Sequence, residues 1–284
     1  MYGFCLRPRW VLSHLLVLGL VVAMVNLGLW QLRRHDQKQD FNRVVTERSE
    51  EAVAPIADVV DAAGAFGDTE GVEHRRVEAT GTYAADDEVL VRSRSFDGSP
   101  GSWVLTPLVG DDGTAVVVNR GWVPVVQGGG SDADGGADLV YDPPDGRVVV
   151  EGALLSTETR GRFGAVDPAD GTLDTLARAD LERLQQQVDY DLYPAYLRAS
   201  SQEPAQTGDL PLLLEPPDLD AGPHLGYAMQ WFSFSLIALV GYPLILRRVA
   251  RSRQDGRRSG AHRPPVSGNG AAATDVTAAE PSLR

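Results

Sequence analysis

Gly222-Pro223-His224-Leu225-Gly226-Tyr227-Ala228-Met229-Gln230-Trp231-Phe232 opens an apolar run that continues to about Leu246. As a helix, Leu225–Leu246 is roughly 33 Å long at 1.5 Å per residue, enough to cross the hydrocarbon core of a bilayer. Trp231, Phe232 and Phe234 mark its beginning and Arg247, Arg248, Arg251 and Arg253 its end, the positions of interfacial aromatics and of inside-facing cations. The entry into this run is unusually polar for a membrane anchor. It reads either as a helix start with an aromatic belt or as a ligand site.

A second run of the same kind, Trp10–Leu32, lies near the other end, broken by Ser13, His14, Asn26 and Gln31 and bracketed by Trp10 and Trp30. Leu29-Trp30-Gln31-Leu32-Arg33-Arg34 follows where a cleavage site would need small residues, so an uncleaved signal anchor is expected. The segments before Trp10 and after Leu246 carry ten Arg and three acids, a charge of +7. The segment between the runs carries 16 Lys+Arg and 36 Asp+Glu, −20, which accounts for the net −13. The positive-inside rule places both termini in the cytoplasm and the acidic middle outside. An acidic middle lacks the basic footprint nucleic acid requires. The single cysteine, Cys5, excludes an intrachain disulfide and a Cys-built metal site.

The expected organisation is a cytoplasmic N-terminus (1–9), a first span (10–32), an extracytoplasmic domain (33–224), a second span (225–246) and a disordered basic tail (247–284). Asp36–Glu50 is read as continuing the first helix outward. Strands are expected over Val72–Tyr83, Glu88–Arg94, Ser102–Val109, Thr114–Val125, Arg147–Ser156 and Tyr190–Ala199, separated by turn signals such as Gly110-Asp111-Asp112-Gly113. Val116-Val117-Val118 and Val148-Val149-Val150 suggest strands covered on both faces. Gln127–Asp145 reads as a Gly- and Asp-rich loop, and Thr172–Val188 as a helix starting at Thr172 or Asp174, surest over Ala179–Gln187. The fold class is a membrane protein of α+β type: two transmembrane helices flanking a β-rich, barrel-like extracytoplasmic domain.

No phosphate-binding loop, Gly-x-Ser-x-Gly elbow, His-Glu-x-x-His or Cys-x-x-Cys occurs, and the reading is not an enzyme. Polar groups within or beside spans are functional hypotheses by default. His14 lies near the inner end, where it can reach the interface, and His224 at the outer mouth, so the two cannot share a ligand. At that mouth, Gln31, Arg33, Arg34 and His35 end the first span, while His224, Tyr227 and Gln230 begin the second. An Asn26–Gln230 hydrogen bond and close approach at Gly19 and Ala23 are the structural expectations for the helix pair. A flat cofactor with an iron centre would need an imidazole, aromatic walls and cations for its carboxylates. His224, Tyr227 with Trp231, and Arg33 with Arg34 are the candidates, beside the plainer reading of an interfacial histidine.

Several stretches, in order, carry a family resemblance: Leu27-Gly28-Leu29-Trp30-Gln31-Leu32-Arg33-Arg34, Glu73-His74-Arg75-Arg76-Val77-Glu78-Ala79-Thr80-Gly81-Thr82-Tyr83, Leu105-Thr106-Pro107-Leu108, Val118-Asn119-Arg120-Gly121-Trp122-Val123-Pro124, Glu151-Gly152, and the opening stretch from Pro223 to Phe232. Over about Gly28–Leu246 the chain resembles the Surfeit locus protein family of cytochrome c oxidase assembly factors. The resemblance implies a two-span protein of the plasma membrane that binds haem a transiently and supports its delivery to the oxidase catalytic subunit, with haem a synthase a further candidate partner. It makes His224 the leading iron ligand, with Pro223 standing where many members have Asn. Two other readings fit the layout: a scaffold that binds an oxidase subunit without haem, and a two-span sensor, which would need an output domain elsewhere.

Overall fold

The computed structural model describes residues 3–69, 71–125, 141–162 and 164–260. Most of the expected Gln127–Asp145 loop and residues 261–284 of the expected tail lie outside them. The chain divides into two compact units, one holding residues up to His35 and from Gly222 onward, the other Asp36–Ala221.

Two helices dominate the first unit. Helix α1 (Pro8–Glu50) carries the first apolar run and, as expected, continues beyond it through Asp36–Glu50, which belongs to the second unit. Helix α4 (His224–Gly260) carries the second. Both are long and apolar enough to span a membrane. Helix α4 does not end at the arginine cluster: it stays helical to Gly260, where a disordered tail was expected from Arg247. Arg and Ala are good helix formers, and extending an existing helix avoids the cost of a new nucleus.

The two helices meet along seams of three- and four-residue spacing. His14, Val17, Val21, Met24, Gly28 and Gln31 are withdrawn from solvent on α1, and His224, Ala228, Trp231, Ser235 and Tyr242 on α4. This is the pattern of helices packed at a shallow angle. The close approach falls at Gly28, not at Gly19 and Ala23: a Cβ on Gly28 would sit 2.7 Å from the Phe232 ring, whereas one on Gly19 would meet nothing within 4 Å. The expected Asn26–Gln230 bond is absent. Asn26 Nδ2 donates to Val22 O, 2.8 Å, one turn back on its own helix, because a single apolar seam leaves Asn26 on the exposed side.

Among the described residues of the second unit, a sheet of eight strands is ordered β1-β2-β6-β8-β5-β4-β3-β7. The strands are β1 (Ala54–Pro55), β2 (Arg76–Tyr83), β3 (Val89–Phe96), β4 (Ser99–Val109), β5 (Ala115–Pro124), β6 (Arg147–Ser156), β7 (Thr175–Leu176) and β8 (Ala195–Glu203), with short helices α2 (Ile56–Val59) and α3 (Leu181–Gln185). An additional pairing, Thr82 with Val109 and Tyr83 with Leu108, joins β2 to β4. Strand β5 is buried on both faces as expected: Val116 and Val118 enter one core cluster, Ala115 and Val117 the other. Strand β6 differs, with Val148 and Val150 fully buried and Val149 only partly.

The expected Thr172–Val188 helix reduces to α3, with Asp180 as its N-cap accepting from Arg183 N at 3.1 Å. Of the leucines before it, Leu176 is buried and Leu173 partly so, both from extended backbone, and Leu176 in β7 pairs with Val91 of β3. The Gln187 side chain takes the place of a strand neighbour there, bonding both Leu173 N and Leu173 O at 3.1 Å. The final strand also starts later than the expected Tyr190, at Ala195, because Tyr193 N and Ala115 O still bond outside the regular β5–β8 ladder.

His74, before β2, sits at φ 68° with its ring edge-on to Phe41. Burial pushes its pKa below the ordinary 6.5, with Glu73 opposing and Arg198 and Arg48 assisting. A depressed folded pKa contributes stability that is present above the unfolded value and is lost as pH falls through the folded one. Acidification from pH 7.5 to 5.5 should therefore lower the urea midpoint of the full-length protein in detergent. His74→Asn, which tolerates positive φ, should remove part of that acid sensitivity. An unchanged pH dependence in the variant would exclude His74 as its source.

Candidate functional site

At the polar mouth of the helix pair, His224 Nδ1 meets Gln31 Oε1 across the two helices at 2.9 Å. An amide oxygen only accepts, so this bond places the proton on Nδ1 and leaves the lone pair on Nε2. Gly222, at φ 69°, lies against the same ring: a Cβ there would be 3.4 Å from Cδ2 and 3.5 Å from Nε2. A histidine oriented by a hydrogen bond through Nδ1 is the usual arrangement of an imidazole metal ligand and its outer partner. Among the described residues no group of three or more His, Cys, Asp or Glu could hold a metal ion. A site offering one imidazole suits a porphyrin iron, whose in-plane ligands belong to the cofactor.

The other expected site residues are distributed unevenly around this pair. At about 100° per residue, Ala228 lies about 40° from His224 around α4, Trp231 about 20° and Tyr227 about 60° on the opposite side. Ala228 is buried in the seam, Trp231 is half-buried, and Tyr227 is exposed. Trp231 packs edge-on against Phe234, with ring centroids 6.2 Å apart. Trp231 thus shares the histidine's face of α4, two turns and about 10 Å further along the helix, whereas Tyr227 is one turn away and turned outward. Both Arg33 and Arg34 are exposed on α1. Arg34 lies about 60° from Gln31 around the helix and Arg33 about 160°, so only Arg34 shares the His224 side. His35 follows Gln31 by one turn on the same face, with its Nδ1 buried and without a hydrogen-bond partner.

A second polar layer lies 17 residues before Gln31, about 25 Å along α1. His14 does not simply reach outward. Tyr242 OH donates to Ser13 Oγ at 2.9 Å, so at 2.7 Å it accepts from His14 Nδ1, and the two rings meet edge-on. Tyr242 carried no signal in the sequence beyond its place in an apolar run.

Arg120 and Trp122 of β5 are held by contacts within the sheet domain. Arg120 is the extra residue of a bulge, since Val104 pairs with Gly121 and Leu105 with Asn119. Its guanidinium, 1 % exposed, meets Glu88 Oε2 at 2.8 Å, Tyr141 O at 2.6 Å and Gln206 Oε1 at 2.7 Å. Trp122 is a buried core residue stacked on Phe96.

Two long apolar helices enclosing a sheet-rich domain in sequence, with a single oriented histidine at the start of the second helix, describe a membrane-associated binding or assembly protein. Comparison with known proteins narrows this. The model of the SURF1 family matches residues 18–236. A SURF1-like protein of Mycobacterium bovis, itself uncharacterized, is 28% identical over 274 residues, covering 93% of this chain and 92% of its own. One of Monosiga brevicollis is 27% identical over 88% of this chain and 91% of its own, and one of Dictyostelium discoideum 36% identical over 36% and 38%. The chain belongs to the SURF1 family, known as cytochrome oxidase assembly factors rather than enzymes.

Proposed function

We propose that this protein assists assembly of an aa3-type cytochrome c oxidase by holding haem a transiently and handing it to the catalytic subunit. The observation that carries the reading is the Gln31–His224 hydrogen bond, which orients the imidazole and leaves Nε2 for the iron. Bound haem a supplies the redox centre of the oxidase, and this chain performs no turnover on it. Trp231 and Tyr227 wall the cofactor, and Arg34, with Arg33 behind it, meets its propionates. The protein sits in the plasma membrane with both termini cytoplasmic and a barrel-like domain outside, where it meets the oxidase catalytic subunit and haem a synthase.

Purification from membranes that make haem a, with haem counted per polypeptide, tests this. Wild type should carry haem a, and His224→Ala should lose it. Gln31→Leu keeps the ligand but frees the ring, and should weaken retention by roughly 10–100-fold, the usual cost of removing a partner that orients a ligand. Haem-free wild type, or an unchanged spectrum in His224→Ala, would overturn the ligand assignment and leave a scaffold that touches no haem. Deleting the gene should lower the haem a signal of the oxidase, and normal oxidase content after deletion would sink the assembly role itself.

A further inference from the structure

The sheet domain contains a cleft of about 510 Å³ that the assembly reading does not use. Its polar floor arises from strand register. Asn119 on β5 and Arg198 on β8 are direct partners across a parallel pair, so their side chains leave the same face. That face is otherwise apolar, running from Ala115 and Val117 to Tyr196 and Leu155. Two polar residues side by side at the end of an apolar face are costly unless something satisfies them.

Neither has its donors satisfied by the described residues. Asn119 is 1 % exposed. Its Oδ1 accepts from Gly121 N at 3.2 Å, which leaves Nδ2 as the cleft donor, and that atom is buried without a hydrogen-bond partner. The Arg198 guanidinium makes no ion pair or hydrogen bond with any described residue. Burial lowers its pKa from the ordinary value, with no carboxylate among the causes. Other arginines withdrawn from solvent in this domain do have an acid partner: buried Arg120 meets Glu88, and half-buried Arg94 meets Glu158.

The walls are flat and held from behind. Trp103 is backed by the Arg94 guanidinium, 3.9 Å from the ring centroid, and Phe96 is stacked on Trp122 at 5.5 Å. Leu155 and Leu214 complete the apolar lining, and exposed Asp97 and Glu215 stand at the rim. A planar cation beside a fixed amide donor matches the two oxygens of a carboxylate. The rim acids repel a second negative charge. The volume falls within the range of small-ligand sites.

We propose that this cleft binds a monocarboxylate carried on a flat or aliphatic body, the carboxylate on Arg198 and Asn119 and the body between Phe96 and Trp103. The carboxylate belongs either to a free acid or to the C-terminus of a polypeptide ending in an apolar residue. The full-length protein in detergent is titrated calorimetrically with 3-phenylpropionate, its neutral amide, phenylsuccinate, and N-acetyl-Gly-Gly-Phe. The free monoacid or the peptide should bind about tenfold or more tightly than the amide, the worth of one charge-assisted contact. Phenylsuccinate should bind more weakly than the monoacid. Binding of the peptide alone assigns the carboxylate to a chain end, and equal or tighter binding of phenylpropionate assigns it to a free acid.

Arg198→Gln should abolish the preference for acid over amide. Asn119→Asp, which keeps the acceptor for Gly121 N but removes the donor, should do the same. The comparison of acid with amide on wild type needs no variant, so it stands even if Arg198→Gln fails to fold. Acids and amide binding alike, or not at all, would overturn the proposal. So would an acid preference that survives in a folded Arg198→Gln protein.

Discussion

Glu88→Ala should destabilise the sheet domain by about 3–5 kcal/mol, the cost of removing one member of a buried ion pair. A guanidinium is not neutralised by deprotonation in proteins, so without Glu88 the buried Arg120 side chain keeps only neutral acceptors, Tyr141 O and Gln206 Oε1. The reciprocal change is milder for a chemical reason. Burial already raises the Glu88 pKa, against the Thr106 hydrogen bond and Arg120, with Asp142 adding to the rise. In Arg120→Leu the carboxyl can take up a proton and become a neutral, hydrogen-bonded group. A raised folded pKa contributes stability that is full below the unfolded value and is lost as pH rises through the folded one. The Arg120→Leu deficit should therefore shrink on acidification towards the ordinary value of 4.5, while the Glu88→Ala deficit should not shrink in this way. Urea melts at pH 7.5 and 5, followed by tryptophan fluorescence, separate the two cases. Equal deficits at both pH values in the two variants would show that the pair is not the controlling interaction.

Gly121→Ala is expected to cost about 3 kcal/mol or more. The residue has φ 141°, a conformation that side chains resist at roughly 1–3 kcal/mol. A Cβ there would lie 2.3 Å from Leu212 O, a backbone atom that cannot rotate away. Moving that segment breaks the reciprocal bonds between Trp122 and Leu212, both 2.8 Å, at about 1 kcal/mol each. Gly98 provides the control. It also has positive φ, 76°, but a Cβ there meets nothing within 4 Å, so Gly98→Ala should cost only the local strain. If both substitutions cost the same, strain rather than contact with Leu212 explains Gly121. The Asn119-Arg120-Gly121-Trp122 stretch thus has a separate physical reason at each position: a cleft donor, a buried cation, a close backbone approach and a core ring.

Five of the six expected strand regions appear close to their expected bounds, because alternating burial and turn residues are local signals. The misplaced elements are those where a distant partner decides the local backbone. Leu173 and Leu176 fit a helical stripe, yet their burial is reached from extended backbone once Gln187 supplies the missing ladder bonds. Asn26 looks like helix glue until the seam is known, and the seam passes through Gly28 instead.

The candidate site divides along the same line. His224 was identifiable from its motif and its place at the start of an apolar run. Gln31 was visible only as one of several polar residues ending the first run, and the rotation of α1 against α4 selected it over Arg33, His35 and Asn26. The Arg198–Asn119 pair, 79 positions apart in the chain, had no signal in the sequence at all.

Composition and local period alone determined two apolar helices, an acidic sheet-forming middle and the polar residues at the membrane mouth, because hydropathy and charge act residue by residue. Tertiary structure alone decided which of those polar residues touch, which cations are paired and which glycines must stay bare. Those outcomes depend on helix rotation and strand register, which are set by contacts between residues far apart in the chain.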